Sequence, residues 1–188
     1  MEQDIEKLKY PLGKFQKLRE ISQEDIDHWI KIIAEFPQRV KSQVENLSEI
    51  ELNQQYRPNG WTIRQVVHHC ADSHMNSFMR FKLALTENTP TIKPYAEDLW
   101  AELSDAQNYP INDSLLILAG LHGRWEQLLK NLTAMELEKE FIHPANNERI
   151  SIKTNIGIYA WHCEHHLAHI MVAKEQRERF GASDIISE

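Results

Sequence analysis

Glycine, cysteine, basic charge and long apolar runs are all scarce in this chain. Six glycines in 188 residues leave little room for a phosphate-cradling loop, and no Walker loop, dinucleotide fingerprint or G-x-S-x-G elbow occurs, which weighs against those three chemistries. The two cysteines, Cys70 and Cys163, fall inside helical patterns and lack the C-x2-C spacing of a structural zinc site. Two thiols in such a chain suit a reducing cytoplasm better than a disulfide scaffold. Lysine and arginine total 21 against 28 acidic residues, a net charge of -7. That balance argues against a nucleic-acid partner, which needs a basic face. No apolar stretch approaches the length of a membrane span. The opening Met1-Glu2-Gln3-Asp4-Ile5-Glu6-Lys7 is too charged for a signal peptide. The expectation is a cytoplasmic protein with no membrane segment.

What remains is ordinary globular composition, 41% hydrophobic and 26% charged, enough for one domain over residues 1–188 with an irregular arm at 1–21. Ser22 and Asp25 resemble a capping box before the helical run Ile26, Trp29, Ile30, Ile33 and Ala34. Pro37 should kink or interrupt this helix, and Val40, Val44 and Leu47 resume its period. After the turn Arg57-Pro58-Asn59-Gly60, a second helix carries Ile63, Val66, Val67, Cys70, Phe78, Phe81 and Leu85. Three prolines make residues 88–110 mostly loop, with one short helix near Ala96–Leu103. Asn112 or Asp113 caps a third helix. Thr133 to Glu136 starts a short one, and Pro144-Ala145-Asn146-Asn147 sits in a small hairpin between Phe141 and Lys153. The last helix runs from about Thr154 to Phe180. The fold class is all-α, an up-and-down four-helix bundle with a small hairpin before the last helix.

Against this plain background stands His162-Cys163-Glu164-His165-His166-Leu167-Ala168-His169. Four imidazoles fall within roughly a third of the helix circumference. Imidazole is the commonest metal ligand, so the stripe points to a metal. His162 and His166 are spaced i, i+4, and so are His165 and His169; the helical wheel leaves both registers open. The third ligand would come from another helix: His68, His69 or His74 on the second, or His122 on the third. A lone buried histidine is ordinarily a hydrogen-bonded core residue, the expected role of His74 and His122. His68 and His69 diverge by roughly 100°, so only one can enter a site. Glu164 points nearly opposite to His162, unlike the glutamate of H-E-x-x-H, and cannot act as base there.

The blocks Gly60-Trp61-Thr62-Ile63-Arg64-Gln65-Val66-Val67-His68-His69, Ala71-Asp72-Ser73-His74-Met75-Asn76, Lys93-Pro94-Tyr95, Leu121-His122-Gly123-Arg124-Trp125 and Tyr159 through His169 resemble the DinB-like superfamily, and closely its YfiT branch. The resemblance covers most of the chain from Tyr10 to Ile170. It implies an up-and-down bundle holding one divalent metal, zinc or nickel, through His69, His162 and His166. It also implies a homodimer in the cytoplasm. The branch is described as metal-dependent hydrolases, and some relatives resemble transferases that use a low-molecular-weight thiol such as bacillithiol. A hydrolase acting on a small-molecule substrate is therefore the leading expectation. The alternatives are a metal-dependent thiol S-transferase and a non-catalytic metal-binding bundle. Three neutral imidazoles leave the ion's charge near +2 with a position open, the pattern of a catalytic site. Asp72, Asn76, Tyr95 and His165 are the expected supporting or substrate-facing groups; the catalytic base is not legible.

Overall fold

The computed structural model describes residues 2–145 and 147–181. Among these, four long helices form a bundle: α2 (Gln23–Val44), α4 (Ile63–Thr86), α7 (Asn112–Lys130) and α9 (Ile152–Gly181). Shorter pieces fill the connections: α1 (Glu2–Lys9), α3 (Glu49–Leu52), α5 (Glu97–Ala101), α6 (Ser104–Asn108) and α8 (Ala134–Leu137). Strands β1 (Glu140–His143) and β2 (Glu148–Ser151) form the expected antiparallel hairpin, with Phe141 opposite Ile150. Asn146, in its turn, lies outside the described residues.

Local chemistry sets the helix starts. Ser22 with Asp25, Thr62 with Gln65 and Thr133 with Glu136 close full capping boxes, each pairing two backbone N–H groups that a helix start leaves open. Helix α7 differs from expectation: Asn112 is its first helical residue and no side chain caps it. The N-terminal arm also differs, since Glu2–Lys9 is helical. Pro37 does not break α2, which runs through it from Gln23 to Val44. Ile26, Ile30, Ile33, Phe36, Val40 and Val44 form one buried stripe on both sides of the proline, and that packing holds the helix together.

The bundle is present, but its connectivity is not that of a simple up-and-down bundle. Each of α2 and α4 packs against both α7 and α9. Consecutive helices α2 and α4 therefore face each other across a diagonal, as do α7 and α9. The connections at 45–62, 87–111 and 131–151 are long enough to cross the bundle ends, unlike the tight loops that join neighbours. The result places α4 beside α9 and brings all four long helices around one core, where Phe36, Phe81, Leu118, Trp125, Ile156 and Ile170 are fully buried. Each such side chain contributes roughly 1.5–3 kcal/mol by leaving water.

The α2–α9 crossing depends on Gly157. A Cβ built there would lie 2.9 Å from the ring of Trp29 on α2. Gly157→Ala is expected to destabilise the fold by about 1–3 kcal/mol through overpacking, although alanine is the better helix former. A urea melt reads this directly, and an unchanged or raised midpoint would show that the crossing has slack.

Candidate metal centre

His69 sits on the second turn of α4, positioned by the Thr62 cap and by Trp61, whose ring packs against the imidazole with centroids 4.6 Å apart. His162 and His166 stand one turn apart on the adjoining face of α9. The three rings converge: one ligand atom from each lies within 4.8 Å of the others, a group that could hold a metal ion. His69 Nε2 and His162 Nε2 are 3.4 Å apart. Two nitrogens at about 2.0–2.1 Å from a tetrahedral ion stand about 3.4 Å from each other, so the separation fits. Burial lowers the pKa of all three, with the neighbouring imidazoles adding to it: His69 to about 4, and His162 and His166 well below their ordinary value. The rings are neutral near pH 7 and keep a lone pair for a cation.

The cluster opens into a cavity of about 1060 Å³. Tyr10, Tyr56, Trp61 and Trp161 line it, with Lys9 and Arg57 as cations and Glu97, Asp98 and Glu102 as carboxylates. The turn that delivers Trp61 needs Gly60, where a Cβ would press to 2.6 Å on the Arg57 side chain and 3.1 Å on its carbonyl oxygen.

The remaining sequence candidates fall in several places. His165 lines the cavity, stacked on Trp161 with centroids 4.4 Å apart; its Nδ1 is buried without a hydrogen-bond partner. His169 also lines the cavity and stacks on Tyr56 at 3.8 Å. His68 points away: its ring bridges the Ser114 hydroxyl at 2.8 Å and the Tyr109 carbonyl at 3.1 Å, tying α4 to the start of α7. His74 and His122 are core residues that hydrogen-bond to each other, Nδ1 to Nε2, at 2.7 Å. Asp72 and Asn76 do not line the cavity. Asn76 donates to the Asp72 carbonyl, and burial, with Asp105 nearby, pushes the Asp72 carboxyl up to about 6. Tyr95 lies behind the cluster with its hydroxyl buried. Burial pushes its phenol up, which the nearby Ser73 offsets only slightly, and no hydrogen bond of good geometry forms to its oxygen. Glu164 forms a two-point ion pair with Arg39 of α2, away from the imidazoles. Cys70 and Cys163 are buried, and burial pushes both thiols up, so they are neutral core groups.

Four participants escaped the sequence reading: Ser73, Tyr10 and the carbonyls of Lys9 and Ile33. Ser73 lies one turn beyond His69, and its Oγ is 3.3 Å from both His162 Nε2 and the Tyr159 hydroxyl. The arm supplies Tyr10, which stacks on His165, and the Lys9 carbonyl, 3.2 Å from His169 Nε2. Pro37 had a legible signal: a proline at i removes the donor for the carbonyl at i−4, here Ile33, and that oxygen lies 2.6 Å from His122 Nδ1.

Fold and site together define a helical bundle whose two adjacent rods present a three-imidazole cluster to a cavity. The family model of the DinB superfamily matches residues 18–170, and the chain belongs to that superfamily. It is 47% identical over 163 residues to the Bacillus subtilis protein named "Putative metal-dependent hydrolase YfiT", covering 87% of this chain and 92% of that one. A Bacillus cereus (strain 03BB102) protein named "Putative metal-dependent hydrolase" is 50% identical, with 87% and 93% covered. The solved structure of YfiT from Bacillus subtilis superposes with a TM-score of 0.87 at 45% identity, covering 93% of this chain and 98% of that one. That protein is described as "a probable metal-dependent hydrolase with an unusual four-helix bundle topology". Among the described residues no helix is long and apolar enough to cross a membrane.

Proposed function

We propose that this protein is a metal-dependent hydrolase of small molecules, with His69, His162 and His166 holding one divalent ion, zinc or nickel. The observation that carries the reading is the convergence of three neutral imidazoles at the floor of a large cavity. A donor set of nitrogen alone suits zinc or nickel better than magnesium or calcium, which prefer oxygen. When bound, such an ion supplies Lewis-acid chemistry, polarising a carbonyl or phosphoryl oxygen and lowering the pKa of a water or thiol toward neutrality. The chain's own residues do the rest. Trp61 and Trp161 wall the approach, His165 is placed to hydrogen-bond a substrate, and Lys9 and Arg57 orient its anionic part. Asp72, Asn76 and Tyr95 do not line the cavity and take no direct part in this reading. A cytoplasmic homodimer belongs to the same reading.

A second reading is a thiol S-transferase. A cavity of about 1060 Å³ is at the upper end for one small ligand, and its mixed charges suit a polar thiol beside an electrophile. Metal analysis of untagged protein, followed by turnover assays, tests both. The hydrolase reading expects about one zinc or nickel per chain and metal-dependent cleavage within ester, amide or phosphoester panels. Conjugation of bacillithiol to a haloaromatic with no hydrolysis would replace it by the transferase. Stoichiometric metal with neither activity would leave a binding bundle.

A further inference from the structure

Behind His162 runs a chain of buried imidazoles that touches all four long helices. The Ile33 oxygen on α2 lies 2.6 Å from His122 Nδ1 on α7. His122 Nε2 lies 2.7 Å from His74 Nδ1 on α4, and His74 Nε2 lies 3.0 Å from His162 Nδ1 on α9. A carbonyl only accepts, so His122 Nδ1 carries the proton and donates. A neutral imidazole has one donor and one acceptor, so His122 Nε2 accepts from His74 Nδ1–H. By the same step His74 Nε2 accepts from His162 Nδ1–H. The proton of His162 is thereby fixed on Nδ1, and Nε2, the atom facing His69, keeps its lone pair.

A second, shorter chain serves the other member of the pair. The Lys9 oxygen lies 3.2 Å from His169 Nε2, and His169 Nδ1 lies 3.4 Å from His166 Nδ1. The same logic makes His169 Nε2 the donor to Lys9, His169 Nδ1 the acceptor, and His166 Nδ1 the protonated atom. Its Nε2 is left free. Both terminal carbonyls are ones their own helices leave unbonded. Pro37 has no N–H to offer Ile33, and Lys9 is the last residue of α1.

We infer that His74, His122 and His169 are positioning residues: two carbonyl-anchored imidazole relays lock His162 and His166 in the Nδ1–H tautomer, so that both Nε2 lone pairs face the ion site before any metal arrives. The inference rests on the three-imidazole reading for its purpose, though not for its geometry. Metal-bound histidines commonly donate to a carboxylate or a carbonyl. Here neutral rings stand between ligand and carbonyl, so orientation is fixed without adding negative charge. The His162 relay ends on a buried oxygen that cannot pass a proton on. It therefore orients and does not conduct.

Long-range ¹H–¹⁵N NMR of the metal-free wild-type protein near pH 7.5 reads the tautomers without any substitution. The expected result is Nδ1–H on His74, His122, His162 and His166, and Nε2–H on His169. Nε2–H on His162 or His166, or an even mixture, would overturn the inference even if metal binds well. Failure to bind metal with these tautomers present would instead remove the hydrolase reading and leave the relays standing. Zinc titration of two variants separates positioning from general damage. His74→Phe is expected to weaken zinc about 10- to 100-fold and to release the tautomer of His162 alone. His169→Phe should do the same through His166 alone. His74→Gln, whose amide can both accept and donate, should recover part of the loss. Variants that disturb both ligands alike, or neither, would contradict two separate relays.

Discussion

Brought from about pH 7.5 to pH 5, the metal-free protein is expected to unfold cooperatively. Seven histidines, His69, His74, His122, His162, His165, His166 and His169, are held neutral in the fold, in each case first by burial. His69, His122 and His165 are lowered to about 4 and His169 to about 3. In the unfolded chain each takes up a proton near 6.5. Between about 6.5 and 4 the unfolded state thus binds more protons, and stability falls as pH falls through that window. One pH unit below 6.5, each neutral-locked ring costs about 1.4 kcal/mol, roughly 10 kcal/mol for seven. Whole domains are stable by about 5–15 kcal/mol. Asp72, whose carboxyl is raised to about 6, and Glu97, also raised by burial, act in the opposite direction because they gain their protons more readily when folded, but they are two groups against seven. Saturating zinc should move the transition to lower pH, because protons and metal compete for the same lone pairs. Circular dichroism against pH, with and without zinc, checks both statements. A helix signal unchanged down to pH 4 without metal would mean that these rings are not locked neutral.

The same burial explains what could be read from the sequence and what could not. Helix positions were legible because capping pairs such as Ser22–Asp25 and Thr133–Glu136, and stripes such as Ile26 to Val44, are local signals. The i, i+4 pairs on α9 were legible for the same reason, but the wheel left two registers open. The choice between His162/His166 and His165/His169 depends on which face of α9 meets α4. The diagonal placement of α2 and α4 was hidden too, since periodicity finds a buried face without saying what covers it. Even so, connections as long as 45–62 and 87–111 were a warning against tight neighbouring hairpins. His74 and His122 were correctly expected to be hydrogen-bonded core. Their linkage to His162 involves Ile33, some ninety residues from His122 in sequence, which no local pattern reaches. Pro37 looked like a helix breaker because propensity scores the lost donor as a cost. In the folded chain the freed Ile33 oxygen is put to use.

Removing one ligand is expected to abolish most metal affinity while leaving the empty fold intact, and His69→Ala is the cleanest such change. His69 is the one member of the cluster for which neither relay is required; its ring rests on Trp61 at the cavity wall. Structural zinc sites hold the ion by about 10–16 kcal/mol over four ligands, or roughly 3 kcal/mol per ligand, so the loss should be at least about a hundredfold in Kd. The thermal signature follows from linkage. Metal at about a thousand times Kd raises wild-type stability by about 4 kcal/mol, which for a domain of this size is roughly 8–16 °C in Tm. In His69→Ala that increment should collapse at the same metal concentration. Without metal, the variant should melt close to the wild type. The ring stands at the cavity wall, and its contact with His162 Nε2, at 3.4 Å, is too long to add much to stability. His162→Ala should lose the same metal increment but also melt lower when empty, because it strands the accepting nitrogen of His74 in the core. The contrast between the two variants, equal in metal loss and unequal in empty-state stability, is what three converging imidazoles with one anchored relay require. A metal-dependent Tm increment that survives His69→Ala would place the ion elsewhere.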